Sequence, residues 1–189
     1  MRPLPDTHPE LEIIDNLPIF VEYRVYNIKI SEDGSQRRLY GYSIKDLVLL
    51  GIIWFIWKHY QSPFVVGIIL LLLLRGKTTL LLWESVIVLP SLGLQVEVTR
   101  GFCLPWTKRI WPLSTSRKFI PLNDIHDVLI NEGLRRWSWY YYLAILRRKG
   151  EPRNQIAIEL SFEDTLPPLA VVREIYHGVR EILFEEYTG

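Results

Sequence analysis

The stretches Leu47–Trp57 (LVLLGIIWFIW) and Phe64–Leu74 (FVVGIILLLLL), separated by Lys58-His59-Tyr60-Gln61-Ser62-Pro63, decide how the fold is read. So dense an apolar block is of little use to a soluble domain and of much use to a bilayer. Each run has eleven residues and as a helix reaches only about 16 Å. A full span needs roughly 20 residues to cross about 30 Å of hydrocarbon. Ser43-Ile44 and Tyr60-Gln61 can lengthen the first helix, and Ser62-Pro63 can open the second. The reading adopted is a helical hairpin that crosses thinly or dips into the bilayer, with Lys58–Pro63 as its turn. Two readings compete with it: a single broken span, burying Lys58 and His59 at a cost of several kcal/mol, and a buried core hairpin of a soluble protein.

Charge placement favours the hairpin. Arg37, Arg38 and Lys45 precede it and Arg75 and Lys77 follow it, so both ends read as cytoplasmic by the positive-inside rule, with Lys58 in the turn as a counter-vote. Trp54, Trp57, Tyr60 and Trp83 stand near the run ends, where amphipathic rings favour the headgroup layer. The polar, proline-rich start MRPLPDTHPELEIID has no apolar core of its own. No cleaved signal peptide is expected, and the hairpin itself is expected to direct insertion.

Composition sets the outer bounds. The chain has 189 residues, room for one domain of moderate size beside an anchor. A net charge of +1 gives no global electrostatic case for nucleic acid or an acidic substrate. A single cysteine, Cys103, excludes an intrachain disulfide and cysteine-rich metal sites.

Outward from the apolar block, residues 1–17 read as a tail. Residues 18–42 read as a β-hairpin, with Phe20–Ile30 returning through Arg38–Tyr42 after the turn signal Ser31-Glu32-Asp33-Gly34. Beyond Lys77 the hydrophobic period becomes two. Glu84–Leu89 reads as a strand, Pro90-Ser91-Leu92-Gly93 as a turn, and Leu94–Thr99 alternates as a half-buried antiparallel strand. Arg100–Arg117 reads as irregular. Lys118–Pro121 and Ile125–Asn131 read as one strand broken near Asn123-Asp124, and Tyr140–Arg147 as another. Ile156, Ile158, Leu160 and Phe162 alternate with Ala157, Glu159 and Ser161, which reads as the cleanest strand in the chain, with Glu159 on its polar face. Thr165 is a candidate N-cap, with Pro167-Pro168 in the first turn. Leu169, Val172, Ile175, Tyr176, Val179, Ile182 and Leu183 then fall on one helical face.

Reactive constellations are not expected. The four histidines (His8, His59, His126, His177) lie in four separate segments without metal spacing, and Cys103 has no convincing histidine partner. Glycine-rich phosphate loops, nucleophile elbows and zinc-protease motifs are absent from the sequence. Glu151 and Glu159 have the E-x7-E spacing of certain glycosyltransferases, but such enzymes need two nucleotide-fold domains. The match is read as coincidence, and no catalytic, cofactor or metal residue is assigned. Two aromatic and basic clusters remain: Phe102–Trp111, containing Trp106 and Trp111, and Arg135–Tyr142, containing Arg135, Arg136, Trp137 and Trp139. Base stacking is possible for such residues. Headgroup contact, a partner surface and plain core packing are the other readings, with membrane or partner contact favoured.

Lys118–Leu134 (KFIPLNDIHDVLINEGL), followed by Tyr140–Leu146 (YYYLAIL), resembles the PIG-H family, a component of the GPI N-acetylglucosaminyltransferase complex. Glu84–Gln95 (ESVIVLPSLGLQ) is similar to that family's preceding hairpin, and Ile175-Tyr176 with Glu181-Ile182-Leu183 to its closing helix. The loop Arg100–Arg117 is where the family is expected to vary. The resemblance implies a non-catalytic subunit on the cytoplasmic face of the endoplasmic reticulum. That complex moves N-acetylglucosamine from UDP-N-acetylglucosamine to phosphatidylinositol, and the chemistry belongs to a separate subunit, PIG-A. It further implies other subunits and membrane lipid as partners, with no nucleic acid. Strand order and closing helix also look like membrane-tethered pleckstrin-homology-like domains, a fold analogy without functional content. The expected class is thus α+β: a membrane helical hairpin (43–77), then a small antiparallel, pleckstrin-homology-like β domain (78–189) closed by an amphipathic helix. Asn131, Glu132 and Gly133, with Arg135, Arg136, Trp137, Trp139, Trp106 and Trp111, are the expected partner or membrane contacts. The rival reading is a stand-alone membrane-anchored phosphoinositide-binding module.

Overall fold

A computed structural model describes residues 8–30, 36–38, 44–60, 63–78, 80–103, 110–135, 138–149 and 155–185. Ten strands and three α-helices follow in the order β1 (Leu11–Asn16), β2 (Phe20–Tyr26), β3 (Ile28–Ile30), β4 (Gln36–Arg38), α1 (Ile44–Tyr60), α2 (Pro63–Thr78), β5 (Leu80–Leu89), β6 (Gly93–Cys103), β7 (Ile110–Pro121), β8 (Ile125–Arg135), β9 (Ser138–Lys149), β10 (Gln155–Ser161) and α3 (Leu169–Arg180). A 3-10 turn, Leu122–Asp124, separates β7 from β8, at the break the sequence signals. The strands form a five-stranded sheet ordered β1-β2-β5-β6-β7, a three-stranded sheet ordered β10-β9-β8, and the short pair β3-β4. Two compact units result, one of residues 1–27, 83–98 and 115–189, the other of residues 28–82 and 99–114.

The first unit holds the core. On β2 the side chains of Val21, Tyr23 and Val25 are buried, and they pair across the sheet with Val88, Val86 and Glu84 of β5. Period-two alternation puts Val21, Tyr23, Val86 and Val88 on one face. They join Leu94, Ile120, Ile125, Val128, Leu143, Ile145 and Phe162 in one cluster. Helix α3 closes it with Val171, Ile175 and Val179, extended by Leu183 in the following π turn. The amphipathic helix is therefore where the sequence places it, but Leu169, expected on the apolar stripe, is exposed and Val171 is buried in the core.

Its start differs from expectation. Thr165 does not cap α3, whose N-cap is Pro168 with no side-chain bond. Both its backbone N–H and its Oγ1 instead donate to Glu84 Oε2, at 3.1 and 2.6 Å. Glu84 faces the core side of β5 and is buried. Burial pushes its carboxyl above the ordinary 4.5, while the Thr165 bonds pull the other way. A carboxyl with a raised folded pKa holds its proton better folded than unfolded, so its contribution to stability is present at low pH. That contribution is lost as pH rises from 4.5 through the folded value. Glu84→Gln keeps an oxygen acceptor for Thr165 and removes the buried charge. Denaturant titrations across pH should show it losing this slope and matching or exceeding the native chain's stability at neutral pH. An unchanged slope would mean that Glu84 is not the group responsible.

The expected class does not hold. Helices α1 and α2 form over the two apolar runs, but among the described residues no helix is long and apolar enough to cross a membrane. Their 17 and 16 residues correspond to roughly 25 Å, and charges at the ends shorten the apolar part. Lys45, Asp46, Lys58 and His59 lie within α1, and Arg75 and Lys77 within α2. The chain is predominantly antiparallel β, with strands on both sides of the helical pair. β1 and β2, ahead of the helices, share a sheet with β5, β6 and β7 behind them. The description as a membrane hairpin followed by a pleckstrin-homology-like module is therefore corrected. In the second unit the two helices keep many large apolar side chains exposed, including Trp54, Phe55, Phe64 and Leu71.

Candidate interaction surface

The hairpin β8–β9 builds the surface. Antiparallel pairing sets Asn131 opposite Tyr142, Glu132 opposite Tyr141, Gly133 opposite Tyr140 and Leu134 opposite Trp139. Val128, Leu143 and Ile145 point to the core, so Leu129, Asn131, Gly133, Tyr140, Tyr142, Ala144 and Leu146 occupy the opposite face. On it Asn131 Nδ2 donates to Tyr142 Oη at 2.9 Å, while Asn131 Oδ1 accepts the Glu132 N–H at 2.9 Å. The Tyr140 and Tyr142 rings lie 5.7 Å apart at 36°. Gly133 is required beneath them, since a Cβ there would lie 2.7 Å from the Tyr140 ring and hydroxyl. At the hairpin end Leu134 and Trp139 stand 61% and 68% exposed. Holding two such side chains in water has no packing rationale within the hairpin, and Trp and Tyr are over-represented where partners bind.

The expected contact residues divide. Asn131 and Gly133 share the tyrosine face, while Glu132 and Trp139 belong to the same hairpin but to its other face. Arg135 ends β8, with its backbone alone described. Arg136, Trp137 and Trp106 lie outside the described residues. Trp111 belongs to the second unit, on β7, stacked on Phe102 at 5.9 Å and 49% exposed. The segment read as irregular, Arg100–Arg117, carries the end of β6 and most of β7 at its flanks. Sequence reasoning did not single out Tyr140 and Tyr142 as a ring pair over a glycine; pairing Gly133 with the tyrosine run would have found it.

β10 also presents the face opposite to the expected one. Ile156, Ile158 and Leu160 are exposed (58%, 59% and 39%), while Ala157, Glu159 and Ser161 turn inward. Glu159 is held by ion pairs with Lys118 Nζ and, at 3.3 Å, Arg147 Nε. Arg148 Nη2 is 3.3 Å from His126 Nδ1. Among the described residues no group of His, Cys, Asp and Glu is placed to hold a metal ion. What the arrangement offers chemically is apolar and aromatic contact.

This segment is also where the chain is similar to known proteins. Residues 85–163 match the family model described as the PIG-H component of the GPI-GlcNAc transferase complex. The phosphatidylinositol N-acetylglucosaminyltransferase subunit gpi15 of Schizosaccharomyces pombe is 31% identical over 93 residues, 49% of this chain and 49% of that protein. The H-type subunit of the same transferase from Mus musculus is 27% identical over 101 residues, and that from Bos taurus 29% over 101, each covering 53% of this chain and 48% of the relative. The similarity therefore spans about half the length of these curated relatives. Over residues 85–163, from within β5 to just past β10, the chain is similar to the PIG-H family.

Proposed function

We propose that this chain is a subunit of the complex that transfers N-acetylglucosamine from UDP-N-acetylglucosamine to phosphatidylinositol, the first step of GPI-anchor synthesis. Its part is to hold a separate, PIG-A-like glycosyltransferase subunit, not to supply reacting groups. The work is done at the endoplasmic reticulum, with the β domain on the cytoplasmic side beside the lipid substrate. The observation that carries this reading is the PIG-H match over residues 85–163, together with relatives named as subunits of that transferase. The β8–β9 hairpin adds physical support: Trp139 and Leu134 stand exposed near its end on one face, and the Tyr140–Tyr142 pair with Asn131 lies on the other. Such a constellation has the make-up of a binding hot spot, in which truncating one aromatic costs about 2 kcal/mol or more of affinity.

The test is co-purification. Trp139→Ala removes a side chain exposed in the free chain and should leave folding intact, while recovery of the transferase subunit falls roughly tenfold or more. Undiminished recovery with normal transfer activity would remove this surface from the account. Vesicle binding addresses the rival phosphoinositide module: the full chain is expected to show no headgroup-selective binding in the absence of its partners.

A further inference from the structure

Strand β10 is the edge of the three-stranded sheet, pairing with β9 alone among the described residues. Folded proteins protect such edges with charges, prolines, bulges or a covering element, because an open row of N–H and C=O groups recruits another strand. β10 contains no proline, and its register with β9 is unbroken from Gln155 to Ser161. Its one charged residue, Glu159, points to the other face and is occupied by Lys118 and Arg147. What remains outward is Ile156, Ile158 and Leu160 at alternate positions. They continue across the sheet into Leu146 and Ala144, their register partners on β9, and Leu129 on β8.

We propose that the free edge of β10 accepts one extended segment of a partner subunit as an added strand, a proposal that rests on the subunit reading above. The sheet is antiparallel throughout, so the added strand runs antiparallel to β10, with apolar side chains at alternate positions beside Ile156, Ile158 and Leu160. Charge fixes one end. Arg148 is paired with Ile156, is exposed, and among the described residues its side-chain contact is His126 rather than a carboxylate. The added strand lies two strand spacings from Arg148, about 9.6 Å, a gap that an arginine and an acidic side chain can close from opposite sides. Its C-terminal end, opposite Ile156, therefore carries an acidic residue on the apolar side. A second copy of β10 would bring isoleucine and leucine but no carboxylate to Arg148.

The probe is a synthetic eight-residue peptide, threonine alternating with valine and ending in glutamate on the valine side, offered to the full chain. Hydrogen exchange should show slowed amides at 155–161, and titration should give saturable binding. Ile158→Asp, at an exposed position that leaves the core untouched, should weaken it at least about tenfold. Ile158→Thr keeps β propensity and should weaken it less. Arg148→Glu should weaken it too and be rescued by the same peptide ending in lysine. No protection of β10 at saturating peptide, or equal binding by Ile158→Asp, overturns the proposal. So does concentration-dependent protection without peptide accompanied by dimerisation, which would give the edge to a second copy. Co-purification separates the two levels. If the native chain recovers the transferase subunit and Ile158→Asp recovers it equally, the edge proposal fails alone. If the native chain recovers none, the subunit reading fails.

Discussion

Gly93→Ala should destabilise the chain by about 3 kcal/mol or more, the sum of backbone strain and overpacking. Gly93 opens β6 with φ +144°, a conformation that side-chain-bearing residues rarely adopt. A Cβ there would lie 2.3 Å from the Ile120 carbonyl oxygen, 2.9 Å from the Leu122 nitrogen and 3.1 Å from the Pro121 carbonyl carbon. All three are backbone atoms. They cannot step aside as a side chain can, because Ile120 is fully buried and the Leu122 N–H donates to the Leu92 carbonyl at 2.9 Å. The substitution therefore separates the β5–β6 turn from the β7–β8 corner. Denaturant unfolding followed by tryptophan fluorescence would measure it, and near-native stability would mean that these backbones do not meet.

Gly178→Ala is the second large effect, and it has a built-in rescue. Alanine is the better helix former by about 1 kcal/mol, so in an unpacked α3 the change would stabilise. In the folded unit a Cβ at Gly178 would lie 1.9 Å from Tyr23 Oη and 2.6 Å from its Cζ. Tyr23 is 1% exposed and has no room to withdraw. Overpacking should outweigh propensity and leave a net loss of about 2 kcal/mol. Tyr23→Phe deletes the atom nearest the clash, and Gly178→Ala should cost distinctly less in that background. By itself Tyr23→Phe should be neutral or stabilising, since the Tyr23 hydroxyl is buried without a hydrogen-bond partner among the described residues. Equal costs for Gly178→Ala in both backgrounds would remove the helix–sheet contact from the account.

What could be read from residues alone follows from how local each signal is. The antiparallel strands after residue 80, the break at Leu122–Asp124 and the amphipathic α3 are written in period-two and three-to-four-residue patterns that neighbouring residues enforce. The face that β10 turns inward is not local. Ile156, Ile158 and Leu160 alternate like a core strand, and the register with β9 sends them outward because Glu159 finds Lys118 and Arg147 on the other side. A one-residue shift in facing exchanges the whole set. Thr165 likewise looks like a helix cap until Glu84, 81 residues earlier in the chain, claims its hydroxyl. The apolar runs gave the location of two helices correctly, but among the described residues neither is long and apolar enough to cross a membrane. Hydrophobicity read over eleven residues says nothing of where the charged residues within α1 and α2 cut the apolar length. At the proposed surface, the sequence shows Trp139 in an aromatic cluster close to the turn-like Asn131–Gly133 segment. The alignment of Asn131 and Gly133 with Tyr142 and Tyr140 depends on the β8–β9 register.

The central claim is that this chain acts by holding a transferase subunit. The most direct measurement is transfer of N-acetylglucosamine from UDP-N-acetylglucosamine to phosphatidylinositol, assayed on the tagged full-length chain before and after its companions are stripped away. The account requires transfer activity to co-elute with the intact assembly and to be lost from the stripped chain, returning when the glycosyltransferase subunit is added back. A native chain that elutes without transferase, or a stripped chain that still performs the transfer, would contradict it.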